Sequence, residues 1–236
     1  KPVSLQFIGA ISGNLGLADI AWATNSGSRW RTEGAVMFAP NAAYEYSSAT
    51  GRAAPVNIPV EGDARPGKLS AGELYNNQVY LLDVGAGQIW RYPIGPDGLG
   101  TGSTYFRSAF DPIKQGLDIG IDGAIYILLD NGSIQKFFNR QPQNFALTGL
   151  PEPIGRATAM AISGDDPTRG NVYVLDAQAG SVLMFDKAGQ FVKQFRGNGD
   201  EFVNATDLSF DAASNTVYIV TGERLYVHGG GQNWRA

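Results

Sequence analysis

One phrase recurs along this chain at a near-constant interval, and that interval constrains the fold more than any single motif. Asn171-Val-Tyr-Val-Leu-Asp176 is a run of apolar and β-branched residues, and after a turn Ser181-Val-Leu-Met-Phe-Asp186 is a second. The same order returns as Gln78–Asp83 then Gly87–Tyr92, and as Ala124–Asp130 then Asn131–Phe138. The tyrosines that mark the first runs, Tyr80, Tyr126, Tyr173 and Tyr218, stand 46, 47 and 45 residues apart. A step of 43 residues back from Tyr80 reaches Gly34-Ala-Val-Met-Phe-Ala39, with Met37 in the tyrosine position. The chain therefore holds five copies of a unit of about 45 residues.

Each copy carries up to four short strand patterns. The fullest runs from Thr158 to Phe195: Ala159–Ile162, Asn171–Leu175, Ser181–Phe185 and Phe191–Phe195, with Gly, Asp, Asn and Pro at the junctions. Four strands in roughly 40–50 residues is the period of a β-propeller blade. Burial between neighbouring blades explains why Val79–Leu82 and Ile125–Leu129 are continuous apolar runs, where a half-exposed strand would alternate. The reading is an all-β, single-domain propeller spanning residues 1–236, with five blades and six as the rival count. The last copy reaches Arg224-Leu-Tyr-Val-His228 and then Gly229-Gly-Gly231, without a fourth strand pattern. Val3–Ile8 is a strand pattern without a blade of its own, and the expectation is that it completes the last blade and removes a free sheet edge.

Composition narrows function mainly by exclusion. The net charge is −4, and no basic stripe suggests a nucleic-acid partner. No apolar run approaches the roughly 18 residues of a membrane span. With no cysteine and one histidine, thiol chemistry is absent and zinc or Cys/His nucleophile systems have too few ligands. The chain begins at Lys1, which with its few lysines and many small polar residues tilts the reading toward a processed, extracytoplasmic protein or an excised domain. Asn131-Gly-Ser133 and Asn204-Ala-Thr206 match the glycosylation sequon, which matters only in a eukaryotic secretory route.

Val172-Tyr-Val-Leu-Asp176, three residues, then Gly180-Ser-Val-Leu-Met-Phe-Asp186 resembles the NHL and YVTN repeats of β-propellers. Val79–Tyr92 matches nearly as well, Ile125–Phe138 has a shorter turn, and Thr216–Val227 has Thr221 in the aspartate position. Gly34–Tyr46 departs most, with Pro40 at the turn. The resemblance covers about residues 66–228. It implies architecture only, since relatives of this kind include binding modules, kinase sensor domains, lactonases and lyases.

Three groups of residues are candidates for chemistry. Asp19, Asp118 and Asp207 open first strands at the same phase of the repeat, where the innermost strand lines a propeller's channel. Such carboxylates either ring a hard cation such as Ca²⁺ or bond backbone groups of the neighbouring loop. Ser70 and Ala159 fall near this position in the other copies, so a ring would be incomplete. Loops leading into first strands, Ala10–Gly16, Glu61–Ser70, Ser108–Gly116, Leu150–Ala157 and Gly197–Thr206, supply Arg65, Lys68, Asp111, Lys114, Glu152, Arg156 and Asn204 as a mixed-charge binding rim. The strand-end aspartates Asp83, Asp130 and Asp176 read as turn-formers that accept backbone N–H groups.

The remaining features have plainer readings. His228 ends a third strand, away from the channel where a catalytic base would sit. Asp165-Asp-Pro-Thr-Arg-Gly170 lacks calcium-loop spacing and reads as a polar hairpin loop. Arg29-Trp30-Arg31 reads as a loop held by guanidinium–indole stacking. Together these features point to a non-catalytic module that binds a protein or other polar ligand on one loop face. The alternative is a metal-assisted lactonase- or lyase-like enzyme that uses the channel carboxylates.

Overall fold

Short β-branched runs separated by turn residues leave little room for helix, and among the described residues the helical element is one 3₁₀ turn, Asp111–Gln115. The computed structural model describes residues 6–7, 19–23, 34–40, 42–47, 52–59, 66–95, 98–164, 166–197, 199–211, 216–221 and 224–229. The chain is all-β, and its five sheets are β-propeller blades, each built on an antiparallel meander. They fall into two compact units, Lys1–Lys114 with two sheets and Gln115–Ala236 with three.

In the first unit, the first sheet comprises β1 (Gln6–Phe7), β2 (Asp19–Ala23), β3 (Gly34–Ala39), β4 (Ala42–Ser47) and β5 (Arg52–Val56), in the order β1-β5-β4-β3-β2. The second comprises β6 (Leu69–Tyr75), β7 (Gln78–Asp83), β8 (Gln88–Gly95), β9 (Gly98–Leu99) and β10 (Ser103–Thr104). Its order is β10-β8-β7-β6, with β9 also paired to β8. The β6–β7 hairpin turns on Asn76 and Asn77, with φ of 47° and 60°. Both angles are left-handed, as a two-residue hairpin turn requires and asparagine tolerates.

The apolar faces of consecutive sheets form the core: Val36 and Phe38 pack with Val79, Leu81, Trp90 and Tyr92. The sheets approach so closely that a Cβ on Gly72 would overlap the Phe38 ring. One expectation is corrected here. Gln6–Phe7 does not complete the last blade but pairs in parallel with Arg52 and Ala53 of β5, in the first sheet. The spacing of repeats reveals that a strand is present but not which edge it finds, and β5 offers an edge within the same unit.

In the second unit, the third sheet is β11 (Gly116–Ile121), β12 (Ile125–Leu129), β13 (Ile134–Phe138) and β14 (Gln141–Gln143). The fourth is β15 (Ala157–Ile162), β16 (Asn171–Asp176), β17 (Ser181–Asp186) and β18 (Phe191–Arg196). The fifth is β19 (Asp207–Asp211), β20 (Thr216–Thr221) and β21 (Arg224–Gly229). All five residues of β12 are buried, as a strand covered on both faces should be. Tyr126 and Leu128 pack against Val172, Val174 and Phe185, and Leu175 and Val182 against Val217 and Ile219.

Three of the five first strands, β6, β11 and β15, share an irregularity, and the observed pairing differs from the sequence-based register by one residue at two places. The pairing slips at Leu69/Ala71, Gly116/Asp118 and Ala157/Ala159, each a bulge of one extra residue. Ala71 faces Leu82 as Asp118 faces Leu128, so Ala71, rather than Ser70, is the counterpart of the aspartates. Likewise Val36 faces Ala21 as Tyr126 faces Gly120, so Val36, rather than Met37, stands in the tyrosine position.

Candidate functional site

Two of the strand-end aspartates organise the loops where function would sit. Asp176 closes β16, and its carboxylate accepts the N–H groups of Gly155 (2.8 Å), Arg156 (3.1 Å), Gln178 (3.1 Å) and Ala179 (3.0 Å). The first pair belongs to the loop entering the same sheet, and the second to the turn leaving β16. Burial alone would raise this carboxyl's pKa, but the four N–H groups outweigh it and hold the pKa below the usual range. Asp83 repeats the arrangement in the second sheet, accepting from Gly67 (2.6 Å), Lys68 (3.0 Å), Ala86 (3.0 Å) and the Trp90 indole (3.0 Å). Asp130 does not: it is exposed, and Leu129 faces Gly116 where Asp176 faces Ala157.

Each clamp fixes the backbone of a cation. Lys68 follows Gly67 and Arg156 follows Gly155, so both stand at the same step of their blades, with exposed side chains and their own N–H groups held by the buried aspartate. The Arg156 guanidinium also donates to Asn204 Oδ1 at 2.8 Å. Asn204 adopts φ 61° and donates its N–H to the Ala177 carbonyl. Lys114 pairs with Asp111 at 2.8 Å across one turn of the 3₁₀ segment, with both side chains well exposed, and Glu152 is exposed in its loop. The structure thus brings Arg156 to Asn204 and Lys114 to Asp111, while Arg65 lies outside the described residues.

The first-strand aspartates are tied to backbone. Asp118 accepts the N–H of Ile119 at 2.7 Å and, with its other oxygen, that of Met160 in β15 at 2.6 Å. Asp19 does the same in the first unit, with Ile20 at 2.6 Å and Gly72 in β6 at 2.8 Å. Each carboxylate therefore staples the first strand of its sheet to the first strand of the next. Asp207 accepts the Leu208 N–H at 2.7 Å. Burial pushes its carboxyl above the usual range, against the pull of that bond. Among the described residues no group of three or more His, Cys, Asp or Glu side chains is placed to hold a metal ion.

The remaining candidates resolve locally. Asp166 accepts from the backbone N–H and hydroxyl of Thr168, which lower its pKa, so this segment is a self-bonded loop. His228 lies within β21, opposite Val217. Asp165 and Arg29-Trp30-Arg31 fall outside the described residues. No helix among the described residues is long and apolar enough to cross a membrane.

One buried ionic cluster escaped the sequence reading. Lys187, in the β17–β18 turn, donates to Asp122, in the β11–β12 turn, at 2.5 Å, and both side chains are almost wholly buried. The Lys136 ammonium lies 4.9 Å from the Tyr126 ring centroid and donates to the Lys187 carbonyl at 3.4 Å. Burial lowers both lysines, with Asp122 opposing the shift. Both turns read as ordinary hairpin turns, and nothing local marks partners 65 residues apart.

No family model and no curated protein matches the chain. Among solved structures it is similar to the computationally designed protein Ika8, at 18% identity over 82% of this chain and 54% of that one, with a TM-score of 0.48. It is also similar to the designed Ika4, at 18% identity over 74% of this chain and 98% of that one, with a TM-score of 0.46. An auxiliary nutrient binding protein from Bacteroides thetaiotaomicron aligns over 82% of this chain and 56% of its own, at 11% identity and a TM-score of 0.53. At that identity the last likeness shows the fold alone. This chain spans about half the length of Ika8 and of the nutrient binding protein.

Proposed function

We propose that the chain is a non-catalytic recognition module, binding a protein or other polar ligand that carries acidic groups through the loops that enter its blades. The observation that carries this reading is the repeated clamp. Asp83 and Asp176 fix the backbone under Lys68 and Arg156, so these cations are displayed at reduced conformational cost. The binding role named for one structural neighbour and the resemblance to NHL and YVTN repeats fit the same picture, as does an extracytoplasmic setting.

The test is calorimetric titration of the full chain with a poly-glutamate peptide, citrate and a neutral disaccharide, repeated on Lys68→Ala and Arg156→Ala. Loss of a charged hydrogen bond should weaken binding of an acidic probe by about tenfold per site. An acidic probe that binds both variants as it binds the parent, or a panel without a binder, overturns the reading.

The second reading, a metal-assisted lactonase- or lyase-like enzyme, draws on the shared register of Asp19, Asp118 and Asp207. Metal content of the purified protein, with melts in added Ca²⁺ and in chelator, separates the two. A stoichiometric ion with a calcium-dependent melting temperature favours the enzyme.

A further inference from the structure

Lys136 of β13 stands opposite Tyr126 of β12 and Gln143 of β14, and directly opposed residues share a face of the sheet. Its ammonium lies 4.9 Å from the Tyr126 ring centroid and 5.3 Å from that of Phe145. The two rings pack edge to face, 5.7 Å apart. The Lys187 ammonium is 5.5 Å from the same Tyr126 centroid. Two cations therefore share one ring and one carboxylate, and the carboxylate is committed. Asp122 Oδ2 accepts from Lys187 at 2.5 Å, and Oδ1 from the Ala124 N–H at 3.0 Å. Among the described residues no carboxylate pairs with Lys136, and its bond to the Lys187 carbonyl is long, at 3.4 Å. Tyr126 adds no negative charge, because burial and the nearby Asp122 carboxylate push its hydroxyl's pKa up and keep it neutral.

The cluster thus holds two ammonium groups against one carboxylate, with Lys187 closed off from solvent and Lys136 half-buried. Releasing one proton removes the surplus, and Lys136 is the group that can give it up. A neutral Lys187 would leave Asp122 buried without its cation, whereas Lys136 would forgo only its place over two rings. Burial, aided by the Lys187 charge, holds the Lys136 pKa below the ordinary lysine range against the pull of Asp122. An amine desolvated beside a second cation is the setting in which lysine becomes a nucleophile. We propose that Lys136 is a reactive amine that captures aldehydes as a Schiff base, aromatic aldehydes above all. The nitrogen attacks the carbonyl carbon, a C–N bond forms, and the carbonyl oxygen leaves as water, without oxidation or reduction. The rings of Tyr126 and Phe145 that flank the nitrogen offer a flat aldehyde an apolar surface to pack on. Lys68 and Arg156 take no part in this chemistry.

Reductive labelling of the full chain at neutral pH, with benzaldehyde or propanal and cyanoborohydride, tests the proposal when the labelled lysines are located by peptide mass mapping. Lys136 should label roughly tenfold or more faster than the exposed Lys68, Lys114 and Lys193. The advantage should be greater for benzaldehyde and should vanish in urea. Labelling of Lys136 at the rate of the exposed lysines, or below it, overturns the proposal. So does an advantage that survives in urea, which would belong to the local sequence and not to the fold. Equal advantages for the two aldehydes overturn the aromatic preference. Lys187→Met, with folding checked by far-UV circular dichroism, leaves Asp122 to pair with Lys136 and should reduce the advantage. Unchanged labelling in that folded variant overturns the role of the second cation.

Discussion

Asp176, the last residue of β16, accepts four backbone N–H groups in a buried setting, whereas Asp130, one step past the end of β12, stands in solvent. The two regions are the same turn in neighbouring blades. The difference is one residue: Leu129, opposite Gly116, fills the clamp position in place of an aspartate and is 4% exposed. In the fourth sheet the loop is therefore held by directed hydrogen bonds, and in the third by an apolar side chain and the bond from Asp130 N–H to the Gln115 carbonyl. One architecture tolerates two chemistries for the same mechanical task, and only the first fixes the backbone of a following cation.

Four measurements break or sharpen this contrast. Leu129→Ala should be the costliest, at about 2–5 kcal/mol by urea unfolding, because it empties a packed position. A loss under about 1 kcal/mol would mean that Leu129 does not hold the loop. Asp176→Ala should cost roughly 2–4 kcal/mol, since four N–H groups lose their acceptor and some stay buried. If the clamp is what displays Arg156, the same variant should also weaken any acidic probe that binds there.

The third measurement is stability against pH. Asp176, whose folded pKa lies below the ordinary 3.8, contributes stability that is complete above that value and is lost as pH falls through the folded pKa. Asp207, whose folded pKa lies above 3.8, contributes stability that is complete below that value and is lost as pH rises through the folded pKa. Asp176→Asn should therefore flatten the acid limb of the curve and Asp207→Asn the limb above it. Curves parallel to the parent's for both variants would contradict the assignments. Smallest of all, Asp130→Ala should stay within about 0.5 kcal/mol of the parent, as exposed positions do.

Blade count and strand identity were legible because burial on both faces leaves runs such as Val172–Leu175 almost free of polar residues. Asp83 and Asp176 were legible as turn-formers for the same local reason. Register was not: a bulge in three of the five first strands adds a residue without a compositional mark, and the pairing places Ala71, not Ser70, at the aligned position. The carboxylates of Asp19 and Asp118 aligned correctly, yet their link to Gly72 and Met160 in the next sheet depends on how closely two sheets approach. The sequence hints at that distance only through small residues such as Gly72 and Gly120. The pairing of β1 with β5 was hidden because a short strand pattern fits any open edge.

A chain of five similar sheets faces a hazard of its own making: apolar faces of one pattern can dock on the wrong neighbour during folding. The Asp122–Lys187 pair answers that hazard at one junction. Its two ions come from turns of the third and fourth sheets, and a docking that buried one without the other would carry the penalty of an unpaired buried charge. The pair thus works as a matched key between two otherwise interchangeable modules, an address written in charge on surfaces whose shapes alone do not tell them apart.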